Sequence, residues 1–243
     1  MLLRHIGRLS KGCAGIVGLA LAAVQTTAAG TFSISPLRVE LSAHKRIEAL
    51  TVRNESDTAV VIQATAKMWT QVDGDDRLSD THDAFATPAV VTIPGNGQQV
   101  IRVALRRDPD SQRELDYRLI LQEVPPAAPS DFNGLQVSLR LSLPIFVAPL
   151  TNGQADVHWH ARYSDDKQLI VSANNNGAAH LQVVDFIARF NGAGSAIHSP
   201  VSKYILPGSR VEWRLDAPLA LRLTNIRLHV YSDAGEFDAD VVQ

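Results

Sequence analysis

The chain has 243 residues and a formal net charge of −2, with 23 Lys and Arg against 25 Asp and Glu. That length suits two domains of about 100 residues each, and the near-neutral balance offers no basic surface for nucleic acid or an anionic membrane. Cys13 is the single cysteine, so no disulfide can form within the chain.

Arg4, Arg8 and Lys11 precede an apolar run from Ala14 to Val24, and the small residues Thr27-Ala28-Ala29 follow it. Basic, apolar and small-residue regions in that order predict a cleaved signal peptide over residues 1–29, hence export. The run is shorter than the ~20 residues a membrane span needs, and no later segment is apolar enough to insert. Cys13 comes before the run, whereas a lipid-anchored cysteine would follow it. Its removal leaves no catalytic thiol, and 20 cations then face 25 acids, a net charge near −5.

From Phe32 the sequence reads as short strands parted by turn residues, with almost no helical periodicity. The predicted strands are Phe32–Leu41, Ile47–Arg53, Ala59–Trp69, Ala89–Ile93, Gln99–Leu105 and Tyr117–Glu123. Asn54-Glu55-Ser56-Asp57, Asp73-Gly74-Asp75-Asp76 and Pro94-Gly95-Asn96-Gly97 supply the turn chemistry between them. This spacing fits an immunoglobulin-like sandwich. Pro125 to Gly134 is a proline-rich polar loop, which predicts an exposed connection.

The loop leads into the most informative stretch, Leu135 to Pro149. Leu135, Val137, Leu139, Leu141 and Leu143 alternate with Gln136, Ser138, Arg140, Ser142 and Pro144. Period two places the five aliphatics on one face of an extended strand. Alternation alone fits an ordinary half-buried strand. Pro144 adds that the strand lies at an edge or a bulge, and an apolar edge is normally suppressed because it invites pairing. After a short linker at Leu150–Gln154 come further predicted strands: Asp156–Tyr163, Gln168–Ala173, His180–Phe190, Tyr204–Leu206, Val211–Leu215, Ile226–Tyr231 and Phe237–Val242. Val157, Trp159, Ala161 and Tyr163 share one face of the first of these. The expected architecture is all-β: residues 30–149 as one immunoglobulin-like domain and 150–243 as a second, smaller sandwich.

Taken together, these residues resemble the PapD-like chaperones of chaperone–usher pilus assembly. The resemblance is carried by Ser35-Pro36-Leu37-Arg38, Leu50-Thr51-Val52-Arg53-Asn54, Ile93-Pro94-Gly95, Arg113-Glu114-Leu115-Asp116-Tyr117-Arg118-Leu119, Gln122-Glu123-Val124-Pro125-Pro126 and the strand closing at Pro149. Weaker second-domain matches are Leu169 to Asn175, Leu206-Pro207-Gly208-Ser209 and Tyr231-Ser232-Asp233-Ala234-Gly235. Leu-Pro-Ile-Phe-Val-Ala-Pro at the strand's end is similar to the archaic, spore-coat-type branch. The resemblance implies two sandwiches in a boomerang arrangement, a periplasmic location, no cofactor and no catalysis. Its implied partners are pilus or fimbrial subunits and an outer-membrane usher.

The implied mechanism is strand donation, known from this family: the chaperone's strand fills the groove of an incomplete subunit sandwich. Leu135, Val137 and Leu139 fall on the family's donor positions, and Leu141 and Leu143 continue their face. The family also holds the subunit's C-terminal carboxylate with an arginine on the first strand, matched by Arg38, and a lysine late in the donor strand. Pro144 stands at that lysine's place. Arg140 is on the same face but four residues earlier, about 13 Å away at strand rise. Ala148 stands at the family's basic residue before the closing proline, so the resemblance does not carry over the family's usual interdomain ion pair. A free donor strand further implies a cover, either a self-capped oligomer or the Pro125–Gly134 loop folded over it.

Two other readings stay open from sequence. His158-Trp159-His160 can offer two metal ligands from one strand face, although spacing identifies no further ligand among His44, His82, His180, His198 and His229. A secreted adhesin or sugar-binding sandwich is the other, with few aromatics to support it. Acid pairs such as Asp75-Asp76 and Asp165-Asp166 lie in predicted turns. No nucleophile-elbow, phosphate-loop or zincin motif is found.

Overall fold

A computed structural model describes residues 32–127, 133–166, 168–190, 196–199, 202–216 and 226–242. The predicted signal peptide therefore lies outside the described residues. The first domain contains β1 (Phe32–Ser35), β2 (Val39–Leu41), β3 (Ile47–Asn54), β4 (Val60–Val72), β5 (Asp75–Asp80), β6 (Ala84–Thr87), β7 (Val90–Ile93), β8 (Gln98–Leu105), β9 (Leu115–Val124) and β10 (Arg140–Val147). One sheet runs β1-β3-β8-β6; the other runs β2-β10-β9-β4-β5, with β7 also on β4. Between them lies a core that includes Val39, Leu50, Ile62, Ile93, Ile101, Leu119 and Ile145.

The chain predicted as one strand from Phe32 to Leu41 is two. At Pro36 it leaves one sheet, where β1 pairs with β3, and enters the other, where β2 pairs in parallel with β10. The predicted turn at Asp73–Asp76 narrows to Asp73-Gly74. Both residues have positive φ, 53° and 85°, and Val72 pairs with Asp75 around them. A two-residue hairpin with both centres left-handed matches the natural twist of the strands, so β5 resumes at once as an exposed edge strand.

Asn54, at the end of β3, is fully buried. Its Nδ2 donates to the carbonyls of Thr58, Ile93 and Pro94 at 2.7, 3.3 and 3.1 Å, and its Oδ1 accepts from the Ser56 amide and hydroxyl. Asn175 does the same in the second domain, donating to Ala179 and Ile205. Each buried group left unpaired costs about 1–3 kcal/mol. Asn54→Ala should therefore lower stability by about 3 kcal/mol, seen as a lower urea midpoint at unchanged slope.

The second domain contains β11 (Val157–Tyr163), β12 (Leu169–Asn175), β13 (Leu181–Phe190), β14 (Ala196–Ser199), β15 (Lys203–Ile205), β16 (Arg210–Leu215), β17 (Ile226–Ser232) and β18 (Gly235–Val242). They order as β14-β13-β17-β18-β11-β12-β16, with β15 on β13. β18 joins the two halves, pairing antiparallel with β17 and parallel with β11. Trp159, Phe186 and Trp213 centre its core, the two indoles stacked at 5.6 Å. Trp159 thus faces inward as the alternation predicts. His158 is exposed and pairs with Asp156. Among the described residues, no three His, Cys, Asp or Glu side chains are placed to hold a metal ion.

Candidate functional site

β10 has two unlike edges. Its whole length pairs with β9, from Arg140↔Gln122 to Val147↔Leu115. Its other edge pairs with β2 only from Ile145 to Val147. Pro144, which has no N–H to donate, sits where that second pairing begins. From Arg140 to Pro144 the outer edge carries no strand among the described residues. Residues 135–139 continue along the end of β9 without strand pairing. There the Glu123 amide donates to Leu139 O at 2.9 Å, the Leu139 amide to Glu123 Oε2 at 3.1 Å, and Ser138 Oγ to Glu123 O at 3.2 Å.

The alternating aliphatic face passes from solvent to core along this stretch. Leu135 is 79% exposed and Val137 60%, while Leu143 is 7% exposed and belongs to the domain's own core. Leu139 and Leu141 are half-buried, and Leu141 packs against that core. The sequence reading grouped all five as groove-filling residues. In the structure Leu143 lies buried in the first-domain core and Leu141 packs against it, whereas Leu135 and Val137 stand in solvent. Alternation identifies the face but not where the opposite sheet stops covering it.

The opposite face of β10 carries Ser142, Pro144 and Phe146 and looks toward the second domain. Arg38 precedes Val39, the β2 partner of Ile145, so it flanks Pro144 on one side; Arg118 pairs with Pro144 on the other. Two strand spacings of about 4.8 Å put the two arginine backbones about 10 Å apart, within reach of one common anion. Arg38 Nη1 lies 2.9 Å from Asp233 Oδ2 and its Nη2 2.7 Å from Glu40 Oε1, with the side chain still 38% exposed. Arg118 lies 3.6 Å over the Trp69 ring and 5.2 Å from the Tyr204 ring. Its nearest acid, Asp76, is 3.8 Å away, and the side chain is only 13% exposed. Burial lowers the Arg118 pKa, the sign of a cation without full compensation. Arg140 is exposed, on the same face and further up the strand.

Below this row the domains meet. Trp69, Phe146 and Leu206 form a buried cluster with Tyr204 packed against it. Gln71 ties the domains, its Nε2 donating to Tyr204 O at 2.9 Å and its Oε1 accepting from the Leu206 amide at 3.0 Å. His180 stacks on Phe146 at 3.5 Å, nearly parallel. Its Nδ1 is 2.6 Å from Glu114 Oε1, and its Nε2 is 3.4 Å from Asp233 Oδ2, within ion-pair reach but out of hydrogen-bond alignment. His180 of the second domain thus meets Glu114 of the first across the domain boundary. Burial opposes its charge, but the facing carboxylate of Asp233 and the hydrogen-bonded carboxylate of Glu114 raise the His180 pKa above its ordinary value. The link between domains is therefore strongest below about pH 6.5 and weakens as pH rises through that raised value. Burial, with the charge of Glu114 beside it, pushes the Asp116 carboxyl well above the carboxylate range.

Sequence reasoning singled out Arg38 but not Arg118 or His180, which the fold brings to the same row. Arg118 was quoted within a matching motif, and only the strand register shows that it faces Pro144. His180 stands just ahead of β13, 32 positions after Ala148 in the sequence, so no local pattern connects the two.

Solved structures of this two-domain fold resemble the chain at low identity. A chain of the CsuC–CsuE chaperone–tip adhesion subunit complex, from archaic Csu pili of Acinetobacter baumannii, is 20% identical with TM-score 0.65, covering 87% of this chain and 98% of that one. The YadV chaperone is 19% identical with TM-score 0.65, covering 86% and 98%. A chain of the SafA pilin–SafB chaperone complex of Salmonella enterica is 16% identical with TM-score 0.64, covering 89% and 98%. No curated protein matches the chain. Residues 31–152, just over half of the sequence, match the pili and flagellar-assembly chaperone family in its PapD N-terminal domain. The chain belongs to the PapD-like pilus-assembly chaperones.

Proposed function

We propose that this chaperone acts in the periplasm, completes pilus subunits with its own strand, and passes them to an outer-membrane usher. The observation that carries the reading is the unpaired outer edge of β10, continued by the exposed Leu135 and Val137. A subunit strand added there gains main-chain hydrogen bonds from an edge already held in register by β9, and pockets for alternate side chains supply specificity. The family is one of assembly factors, not enzymes. The predicted leader supports export. In the single chain Leu135 and Val137 stand exposed, so a cover for the free protein would be a second copy of the chain; the other expected cover, the Pro125–Gly134 loop, includes residues 128–132, which lie outside the described residues.

Arg38 holds the subunit's terminal carboxylate, and Arg118 replaces the lysine that Pro144 displaces. A charge-assisted hydrogen bond contributes about 1.5–3 kcal/mol. Arg38→Ala and Arg118→Met should each lower subunit recovery in co-purification about 10- to 100-fold, the methionine preserving packing on Trp69. Arg140→Ala should leave recovery unchanged. If Arg140→Ala causes the loss and Arg118→Met does not, the terminus docks four residues, about 13 Å, further up the strand and Arg140 is the second cation. Full recovery with Arg38→Ala removes the anchor altogether.

A further inference from the structure

Asp233 serves two cations at once. Its Oδ2 takes Arg38 Nη1 at 2.9 Å and stands 3.4 Å from His180 Nε2, while its Oδ1 accepts the Gln182 amide at 2.9 Å. We propose that His180 is a positioning residue for Arg38, holding Asp233 when protonated so that Arg38 is released to a bound carboxylate. This rests on the reading of Arg38 as the carboxylate anchor.

The physical argument follows the charges. In the free protein Arg38 is shared between Glu40, which is exposed, and Asp233, whose side chain is 21% exposed. An incoming carboxylate needs the Arg38 donors that Asp233 now uses. With neutral His180, that exchange leaves a half-buried carboxylate with little beyond one backbone amide, and such a group is costly to strand. With His180 protonated, Asp233 keeps a cation after Arg38 turns away. The bound carboxylate in turn adds negative charge near the imidazole and favours its protonated form, so proton and carboxylate help each other reciprocally.

Every neighbour of His180 bears on this balance. From β10 there is only the apolar ring of Phe146, stacked on it. Glu114, just ahead of β9, contacts Nδ1 and takes the His180 amide at 3.0 Å; Asp116 follows it in β9, with its Oδ1 shut from solvent and its carboxyl held toward the neutral form. Tyr204 on β15 lies 5.8 Å away between rings, and Asp233 in the β17–β18 turn brings Arg38 and, through it, Glu40. Glu114 favours protonation whatever Arg38 does. Asp233 is the one acid common to both cations, so it is the coupling element.

The first test needs no ligand. The His180 imidazole is titrated by NMR in the full exported chain and in Arg38→Ala. Loss of the competing guanidinium should raise the midpoint by about one pH unit; an unchanged midpoint overturns the coupling. The second test uses a ten-residue alternating aliphatic peptide as free acid and as C-terminal amide, with binding measured by calorimetry at pH 5.5 and pH 9. The acid-to-amide affinity ratio cancels every effect that ignores the carboxylate, which stays ionised throughout. The ratio should be about tenfold larger at pH 5.5, flat and low in His180→Gln, and high at both pH values in His180→Lys. A ratio abolished by Arg38→Ala yet flat with pH in the unaltered protein keeps the anchor and overturns the role of His180. A ratio of one everywhere overturns the anchor and this inference with it.

Discussion

Replacing Leu135 and Val137 together by serine should abolish recovery of a pilus subunit while the chaperone melts within about 2 °C of the unaltered protein. Both side chains are mostly in water, so their removal costs the free fold little. In a subunit groove each would be buried, contributing about 1.5–3 kcal/mol. Losing both should weaken the complex by two to four orders of magnitude, beyond what co-purification from a periplasmic extract retains. Thermal melting and pull-down on the same preparations check the two halves. A large fall in melting temperature would show that these residues serve the protein's own core and would remove strand donation at this edge.

The pattern of the first domain was readable because alternation and turn chemistry have local causes. Ile47–Arg53, Gln99–Leu105 and Tyr117–Glu123 are strands in the structure within two residues at each end. Other elements left no such mark. β5 is exposed along its whole length, and its first two residues, Asp75 and Asp76, read as part of a turn, although the two-residue hairpin at Asp73-Gly74 makes them the start of a strand. β6 has four residues, Ala-Phe-Ala-Thr, too few to establish a period. The break after Ser35 passes from one sheet to the other through only Pro36, Leu37 and Arg38, too short a connection for hydrophobic pattern to resolve.

The site divides in the same way. Arg38 and the aliphatic stretch were legible from the order of the residues. Arg118 depends on pairing register across β9 and β10, and His180 on a domain contact, which are properties of the folded chain. Pro144 and Ala148 were visible as departures from the family's pattern; in the fold Arg118 pairs with Pro144 across the ladder, and His180 meets Glu114 across the domain boundary.

Leu143→Ser should do the reverse of the Leu135 and Val137 pair, although it lies on the same alternating face. Leu143 pairs with Leu119 across β10 and β9 and is buried against the first-domain core. Truncating a buried leucine costs about 2–5 kcal/mol, and a hydroxyl left there without a partner adds about 1–3 kcal/mol. Against a typical total of about 5–15 kcal/mol, that should lower the melting temperature by more than about 10 °C. Subunit recovery will fall too, since less chaperone is folded, so binding must be measured per folded molecule at low temperature. On that basis Leu143→Ser should bind nearly normally, whereas the exposed pair changed to serine should not. Normal stability with lost binding would instead extend the donor face to Leu143 and require the facing sheet to open there when a subunit docks. The contrast between residues six and eight positions apart on one strand therefore locates where donation ends and the chaperone's own core begins.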